Sequence, residues 1–310
     1  MKREMKNSQA IYYRIAGLLV EITLPMGVDV DALLPTAKAF KVVREENEPV
    51  ICRMYLPEGK EEGQAEETEE TRLLSETAGV FQDCTRVFET PAHYIIKTTY
   101  ADNPRCYRME STKDFSYSTV RMSEGGKPSG QAFTLFLMIA FAQTAVLHQT
   151  ILIHASTVVK DGVGYAFLGK SGTGKSTHTR LWLNHIEGSR LLNDDNPAIR
   201  VKEDGTVHIY GTPWSGKTPC YKNEEAPLGA FTRLEQAPMN RLTPLKGYEA
   251  MVALLPSCSS MRWNDTLYTA LCDGLEEFIK RIPVFRLECL PDPTAAALAY
   301  NGINNNKTIM

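Results

Sequence analysis

This chain lacks a net charge of any size, a paired-cysteine motif and an apolar run long enough for a membrane span. Each absence narrows what it can do. Lysine plus arginine number 34 against 37 aspartate plus glutamate, a formal net charge of −3. That balance gives no global attraction to nucleic acid or to an anionic membrane, and neither is expected as a partner. The seven cysteines (Cys52, Cys84, Cys106, Cys220, Cys258, Cys272 and Cys289) are odd in number, and none stands in a Cys-x-x-Cys pair. Such spacing reads as thiols in a reducing compartment, not as a disulfide or zinc framework. The most apolar stretch, residues 132–147, falls short of the about 20 residues of a spanning helix and carries Gln143 inside it, so a buried core helix is expected. Lys2, Arg3 and Lys6 precede an apolar stretch that Arg14 and Glu21 interrupt, which does not fit a secretory signal. The expected location is the cytoplasm.

What the chain does contain is the octet Gly169-Lys170-Ser171-Gly172-Thr173-Gly174-Lys175-Ser176, which fills every position of the phosphate-cradling pattern G-x-x-x-x-G-K-[ST]. A chance match in a chain of this length is on the order of one in a hundred. Residues 163–168 read as a buried strand entering the loop, and residues 176–183, which include Thr177, as the helix leaving it. Glycines let successive N–H groups turn inward at a helix N-terminus, where the helix dipole favours an anion. In that arrangement Lys175 reaches the β- and γ-phosphates of a nucleotide, and the Ser176 hydroxyl holds Mg²⁺.

The remaining pattern divides the chain. Residues 11–24, 49–56, 92–100 and 116–122 resemble strands, which predicts a smaller β-rich domain over 1–128. Inside it, residues 58–70 form an acidic run without a large apolar side chain, expected as an exposed loop or disordered insertion and open to docking a basic partner. Residues 123–130, with three glycines and Pro128, read as a linker into a second domain over 129–310. There a helix over about 131–149 precedes two strands, 151–159 and 163–168, joined by the tight-turn signal Lys160-Asp161-Gly162. A hairpin at this point makes the loop strand antiparallel to its predecessor, so the expected fold is α/β (α+β) with a mixed sheet. A second hairpin is read from residues 190–193, 197–201 and 206–210. The remainder reads mostly as helices (249–255, 264–281, 293–299) with one late strand (284–289) and a frayed end from Asn301.

Two further places carry chemistry. Asp194 and Asp195 follow the apolar pair Leu191-Leu192, so they stand at a strand end. Beside a phosphate loop, one such carboxylate holds Mg²⁺ and the other takes the proton of an attacking hydroxyl; Asp-Asp-Asn-Pro would equally begin a turn. His154 ends an apolar strand one hairpin upstream, where an isolated histidine is more often a core residue with one satisfied ring nitrogen.

Taken together, His154-Ala155-Ser156, the Gly-x-Ser-Gly-x-Gly-Lys-Ser loop and Leu191-Leu192-Asn193-Asp194-Asp195 resemble the catalytic domain of HPr kinase/phosphorylase over roughly residues 151–215. That family shares its phosphate-loop fold with the phosphoenolpyruvate carboxykinases. The resemblance implies ATP and Mg²⁺ as cofactors, phosphate binding by Lys175, metal binding by Ser176 with Asp194, a base at Asp195, and His154 near the transferred phosphoryl group. It also implies a hydroxyl-bearing acceptor and a homo-oligomer, since HPr kinases form hexamers. It departs from the family at His208-Ile209-Tyr210-Gly211, where the family has Glu-Ile-Arg-Gly with a metal-holding Glu. The family's later substrate-loop arginine has no clear counterpart, Arg233 and Arg262 being the candidates. In its place stands Gly211-Thr212-Pro213-Trp214-Ser215-Gly216-Lys217, whose Ser215-Gly216-Lys217 reads as a second anion-binding loop or as an exposed turn. The missing Glu keeps a second class of function open, a nucleotide-binding regulator or scaffold with little catalysis. A carboxykinase proper is disfavoured by the short chain.

Overall fold

A computed structural model describes residues 7–58, 71–78, 84–100, 103–121, 129–216 and 218–307. Most of the acidic run at 58–70, most of the linker at 123–130, and Lys217 lie outside the described residues. The architecture is mixed α/β, with two large mixed sheets and several helices. By compactness the chain forms two units, one of residues up to Ala145 with Met261–Leu267, the other of Val146–Ser260 with Tyr268 onward.

The first unit is a nine-stranded sheet built from β1 (Ser8–Ile15), β2 (Leu18–Pro25), β3 (Lys41–Val42), β4 (Val50–Tyr55), β5 (Arg72–Ala78), β6 (Cys84–Glu89), β7 (His93–Tyr100), β8 (Asn103–Thr112) and β9 (Tyr117–Arg121). Their order is β3-β1-β2-β4-β9-β8-β7-β6-β5, with β2–β4 and β4–β9 parallel. The segment read as one strand over 11–24 is a hairpin, because Ala16 and Gly17 take positive φ (51° and 75°) and turn the chain back. Strands β3, β5, β6 and β8 are additions to the sequence reading. The apolar segment is a helix, α1 (Val30–Leu33) being the short one before it and α2 (Gly130–Ala145) the long one. Against the expectation that it falls short of a span, over Gly130–His148 it is long and apolar enough to cross a membrane by length and composition, and 61% of its apolar 18-residue window is buried inside the protein. Phe133, Phe136, Leu137 and Phe141 of α2 are almost wholly buried, and the helix packs on β4, β8 and β9. Its buried glutamine, Gln143, accepts the Met261 N–H at 3.1 Å through its side-chain oxygen, which gives the amide that interrupts the apolar run a partner.

The second unit holds β10 (Thr150–Leu152), β11 (Ala155–Lys160), β12 (Val163–Leu168), β13 (Arg190–Asn193), β14 (Ala198–Val201), β15 (Val207–Tyr210), β16 (Glu225–Gln236), β17 (Arg241–Leu245) and β18 (Val284–Cys289). They run in the order β10-β14-β15-β16-β12-β11-β13, with β18 pairing both β16 and β17. The expected hairpin is present: Lys160 pairs with Val163 across Asp161 and Gly162, both at positive φ (51° and 78°). Strand β12 is therefore antiparallel to β11 and parallel to β16, which is in turn parallel to β18. Two expectations differ from the structure here. Residues 225–245, read among helices, form β16 and β17; Pro227, Gly229 and Pro244 mask the strand pattern, and Pro244 sits in an edge strand. The terminal helix does not fray at Asn301 but continues as α6 (Pro293–Lys307), held by the wholly buried Ile303.

Around the sheet stand α3 (Lys175–His185), α4 (Gly247–Leu254), α5 (Asp265–Arg281) and α6. Ala230 and Leu234 of β16 join α3 and α6 in one core cluster, while the intervening Phe231 turns to Phe278 of α5, so alternation along the buried middle of the strand serves both faces. Trp182, with no exposed surface, centres that cluster: its ring lies 4.9 Å from Tyr165, 5.2 Å from Phe167 and 5.6 Å from Tyr300. It donates its indole N–H to His178 Nε2 at 3.1 Å.

Two outcomes are expected. Trp182→Ala should cost about 3–5 kcal/mol in chemical denaturation, as for other large core truncations. Burial also drags the His178 imidazole down to about 4, whereas the unfolded chain titrates near 6.5. The unfolded chain then holds the extra proton between those values, so stability is full above about pH 6.5 and falls as the pH drops toward 4, by about 3 kcal/mol. His178→Gln should flatten that acid limb when urea midpoints at pH 7 and about 4.5 are compared.

Candidate functional site

The loop between β12 and α3 has the local form its glycines require. Gly174 takes φ 100° as the residue before the helix, a conformation that a side chain would strain. A Cβ on Gly169 would collide with the Thr173 hydroxyl, which itself donates to Lys170 O at 2.8 Å. No side chain caps α3, so the first N–H groups of the helix have no acceptor within it. Lys175 folds back over the loop and donates to the carbonyls of Gly169 (3.0 Å) and Lys170 (3.5 Å). Burial lowers the pKa of its ammonium, and the fields of Asp195 and then Asp194 oppose that loss.

The acid pair is presented by Asn193 at the end of β13. The Asn193 side-chain oxygen accepts the N–H groups of Asp195 (2.9 Å) and Asn196 (3.0 Å), and its amide donates to Thr212 Oγ1 (3.2 Å) and Trp214 O (3.1 Å). A turn does begin here, and it is what exposes the two carboxylates differently. Asp194 is buried at 6% exposure. Its Oδ1 accepts the Ser156 hydroxyl at 2.7 Å, and Ser156 accepts the Thr179 hydroxyl at 2.7 Å. Asp194 Oδ2 is buried with no hydrogen-bond partner. The Asp195 side chain, by contrast, is 32% exposed; its Oδ1 lies 3.0 Å from His154 Nδ1 and its Oδ2 accepts the Asn196 amide at 2.7 Å.

His154 occupies the break between β10 and β11. Its N–H donates to Ser257 O (2.6 Å), and the next residue, Ala155, donates to Asp195 O (2.9 Å). These backbone bonds hold the histidine and the carboxylate side by side. The structure thus brings Lys175, Asp194, Asp195 and His154 together at one end of the sheet, with Ser176 in the first turn of α3.

Other sequence candidates fall elsewhere. His208, on β15, approaches Glu225 Oε1 at 3.4 Å, and Lys202 holds the same oxygen at 2.8 Å. Arg233 donates to Ala253 O at 2.9 Å, and Arg262 belongs to the first unit. Of Ser215-Gly216-Lys217 only the first two are described. Ser215 is engaged with Thr218 O at 2.7 Å, while a Cβ on Gly216 would lie 2.8 Å from Asp194 O and 3.4 Å from Asp195 Cβ. Sequence reasoning missed the Thr179–Ser156 pair behind Asp194 and the packing of Gly216 on the acid turn, since neither leaves a periodic signal.

No protein-family model matches the chain, and no curated protein matches it. Among solved structures it is similar to the Hpr(Ser) kinase/phosphatase from Coxiella burnetii, at 15% sequence identity and a TM-score of 0.31, over 51% of this chain and 97% of that one. A likeness of that size is consistent at most with a distant relationship of fold, and nothing about the site rests on it.

Proposed function

We propose that the second unit binds ATP with Mg²⁺ and transfers the γ-phosphoryl group to a hydroxyl, serine being the simplest, on a small molecule, peptide or protein. The observation that carries this reading is the convergence beside one glycine loop of a lysine, two carboxylates in unlike environments and a histidine. The backbone from Gly169 through Lys170, Ser171, Gly172, Thr173 and Gly174 to Lys175, Ser176 and Thr177 would cradle the phosphates, with the free N–H groups of α3 facing them. Lys175 would exchange its two loop carbonyls for phosphate oxygens. This is the phosphate-loop class to which the sequence resemblance points.

The residues fit a divalent cation. Asp194 Oδ2 is a buried carboxylate oxygen without a partner, the kind of orphan that a cation settles. Among the described residues no three of His, Cys, Asp or Glu cluster as a metal cage; Mg²⁺ needs only one or two protein ligands beside phosphate oxygens. Ser176 and Asp194 would hold it, and bound there it neutralises phosphate charge. Asp195, open to solvent, would take the proton of the acceptor hydroxyl, and His154 against its Oδ1 would keep that carboxylate aimed. Catalysis is then mostly positioning and charge neutralisation.

A second reading, a nucleotide-binding regulator, is favoured by His208, which stands where the resembled family has a metal-holding carboxylate and contacts Glu225 instead. Transfer from γ-labelled ATP to hydroxyl acceptors and to water decides between them. Asp195→Asn should lower transfer by about 10²–10⁴-fold with ATP affinity nearly unchanged, and Lys175→Ala should abolish binding. A wild-type protein that binds ATP and turns over none of it supports the regulator. Ser156→Ala, which strips Asp194 Oδ1 of its donor, should raise the Mg²⁺ needed for half-maximal ATP binding by about 10-fold, measured by Mg²⁺ titration of a fluorescent ATP analogue.

A further inference from the structure

Beside the loop, on the second unit, lies a cavity of about 420 Å³ that runs from the glycines of the loop to residues outside the phosphate cradle. One wall is Gly172 of the loop with Thr177 and Leu181 of α3; the other is Leu234, Ala237 and Pro291, at or just beyond the carboxyl ends of β16 and β18. The lining contains no lysine, arginine, aspartate or glutamate. Its one imidazole, His178, is neutral at ordinary pH because burial depresses its pKa. A charge-free, largely apolar pocket is unsuited to phosphate or metal and suited to a flat, uncharged body. Three parallel strands, β12, β16 and β18, end on this side, and in open α/β sheets ligands bind in the crevice outside the carboxyl ends of such strands.

We infer that this cavity takes the nucleoside half of the nucleotide whose phosphates lie on the loop, without selecting guanine. The inference rests on the phosphate-loop reading above and extends it to the base. Continuity supports it: Gly172 and Gly174 line the cavity and also belong to the loop, so a ligand anchored by its phosphates has its other end here. Guanine selection calls for a carboxylate to accept its N1–H and exocyclic amine, and the lining offers none. Gln236 supplies the one side-chain amide, whose N–H₂ donates to Gly172 O at 3.3 Å; an amide can present donor and acceptor to either purine.

The test is isothermal titration of the full chain with Mg²⁺ and, separately, ATP, GTP and inorganic tripolyphosphate. The variants are Ala237→Trp, which fills the cavity from a half-buried position past β16, and Leu290→Trp, which fills it from the segment after β18. Wild type should bind ATP at least about 10-fold more tightly than tripolyphosphate, with GTP within about 10-fold of ATP. Each tryptophan should bring ATP and GTP down to the tripolyphosphate level and leave tripolyphosphate itself unchanged. The inference is overturned if wild-type ATP binds no better than tripolyphosphate, if GTP exceeds ATP by 100-fold or more, or if both variants, folded by circular dichroism, bind ATP as wild type does. Wild-type protein that binds neither ATP nor tripolyphosphate would instead remove the phosphate-loop reading on which it stands.

Discussion

A buried relay of two hydroxyls and one carboxylate is the constraint on which the site depends. Thr179 donates to Ser156 and Ser156 to Asp194, each at 2.7 Å, and the three belong to the helix after the loop, the strand β11 that pairs with the loop strand, and the turn that carries the acid pair. Ser156 is opposite Phe167 in the β11–β12 ladder, so the relay fixes the acid turn against the strand that feeds the loop. Taking a carboxylate out of water is costly unless it is hydrogen-bonded. One oxygen of Asp194 is so bonded and the other is not, which leaves a buried half-satisfied anion next to the lysine of the loop. Loss of the Ser156 hydroxyl would take away the donor to Asp194 Oδ1 and the acceptor of Thr179 together, at about 1–3 kcal/mol for each buried polar atom left unpaired.

The parts of this arrangement governed by local rules were legible in the sequence. Asp161-Gly162 makes the two-residue turn it announces, and with it come the antiparallel lead-in strand and the mixed sheet. The glycine octet sits between strand and helix because only glycine tolerates the conformation at position 174 and the crowding at position 169. What was illegible depends on tertiary pairing. Strand β16 is 12 residues long and central, yet Pro227 and Gly229 break its pattern; its stability comes from neighbours on both sides, not from propensity. Ser156 and Thr157 are adjacent and both buried, because both faces of β11 are covered. Alternation would have turned one of them to solvent, so the Ser156 hydroxyl gave no sign of its role.

Adjacent in sequence, Asp194 and Asp195 diverge in environment because the Asn193 turn lies between them and the strand. One enters the hydroxyl relay and the other reaches the surface beside His154. Two like groups in unlike surroundings are the usual means by which one fold obtains two chemical roles from the same side chain. The backbone bond from Ala155 to Asp195 O adds a second tether at 2.9 Å, so the histidine and the acid move together or not at all. His154-Ala155-Ser156 and Asp194-Asp195 thereby form one physical arrangement: Ser156 grips the first carboxylate, Ala155 grips the backbone of the second, and His154 meets its side chain.

The segment after β15 completes that turn with one hydroxyl, a carbonyl and a glycine. Thr212 accepts from Asn193 and donates to Asn196 O at 2.7 Å, Trp214 O accepts from Asn193, and Gly216 lies where any Cβ would press on Asp194 O. A larger residue at 216 would push the acid turn itself, and through Asp194 the relay to α3. His208, in contrast, pairs with Arg200 and Pro227 in the strand ladder, and its Nδ1 approaches Glu225 at 3.4 Å without a hydrogen bond. The departure from the resembled family at this position therefore falls outside the hydrogen-bonded set that ties loop, relay and acid turn together. None of the bonds in that set involves residue 208, and the proposed metal contact names Ser176 and Asp194 alone.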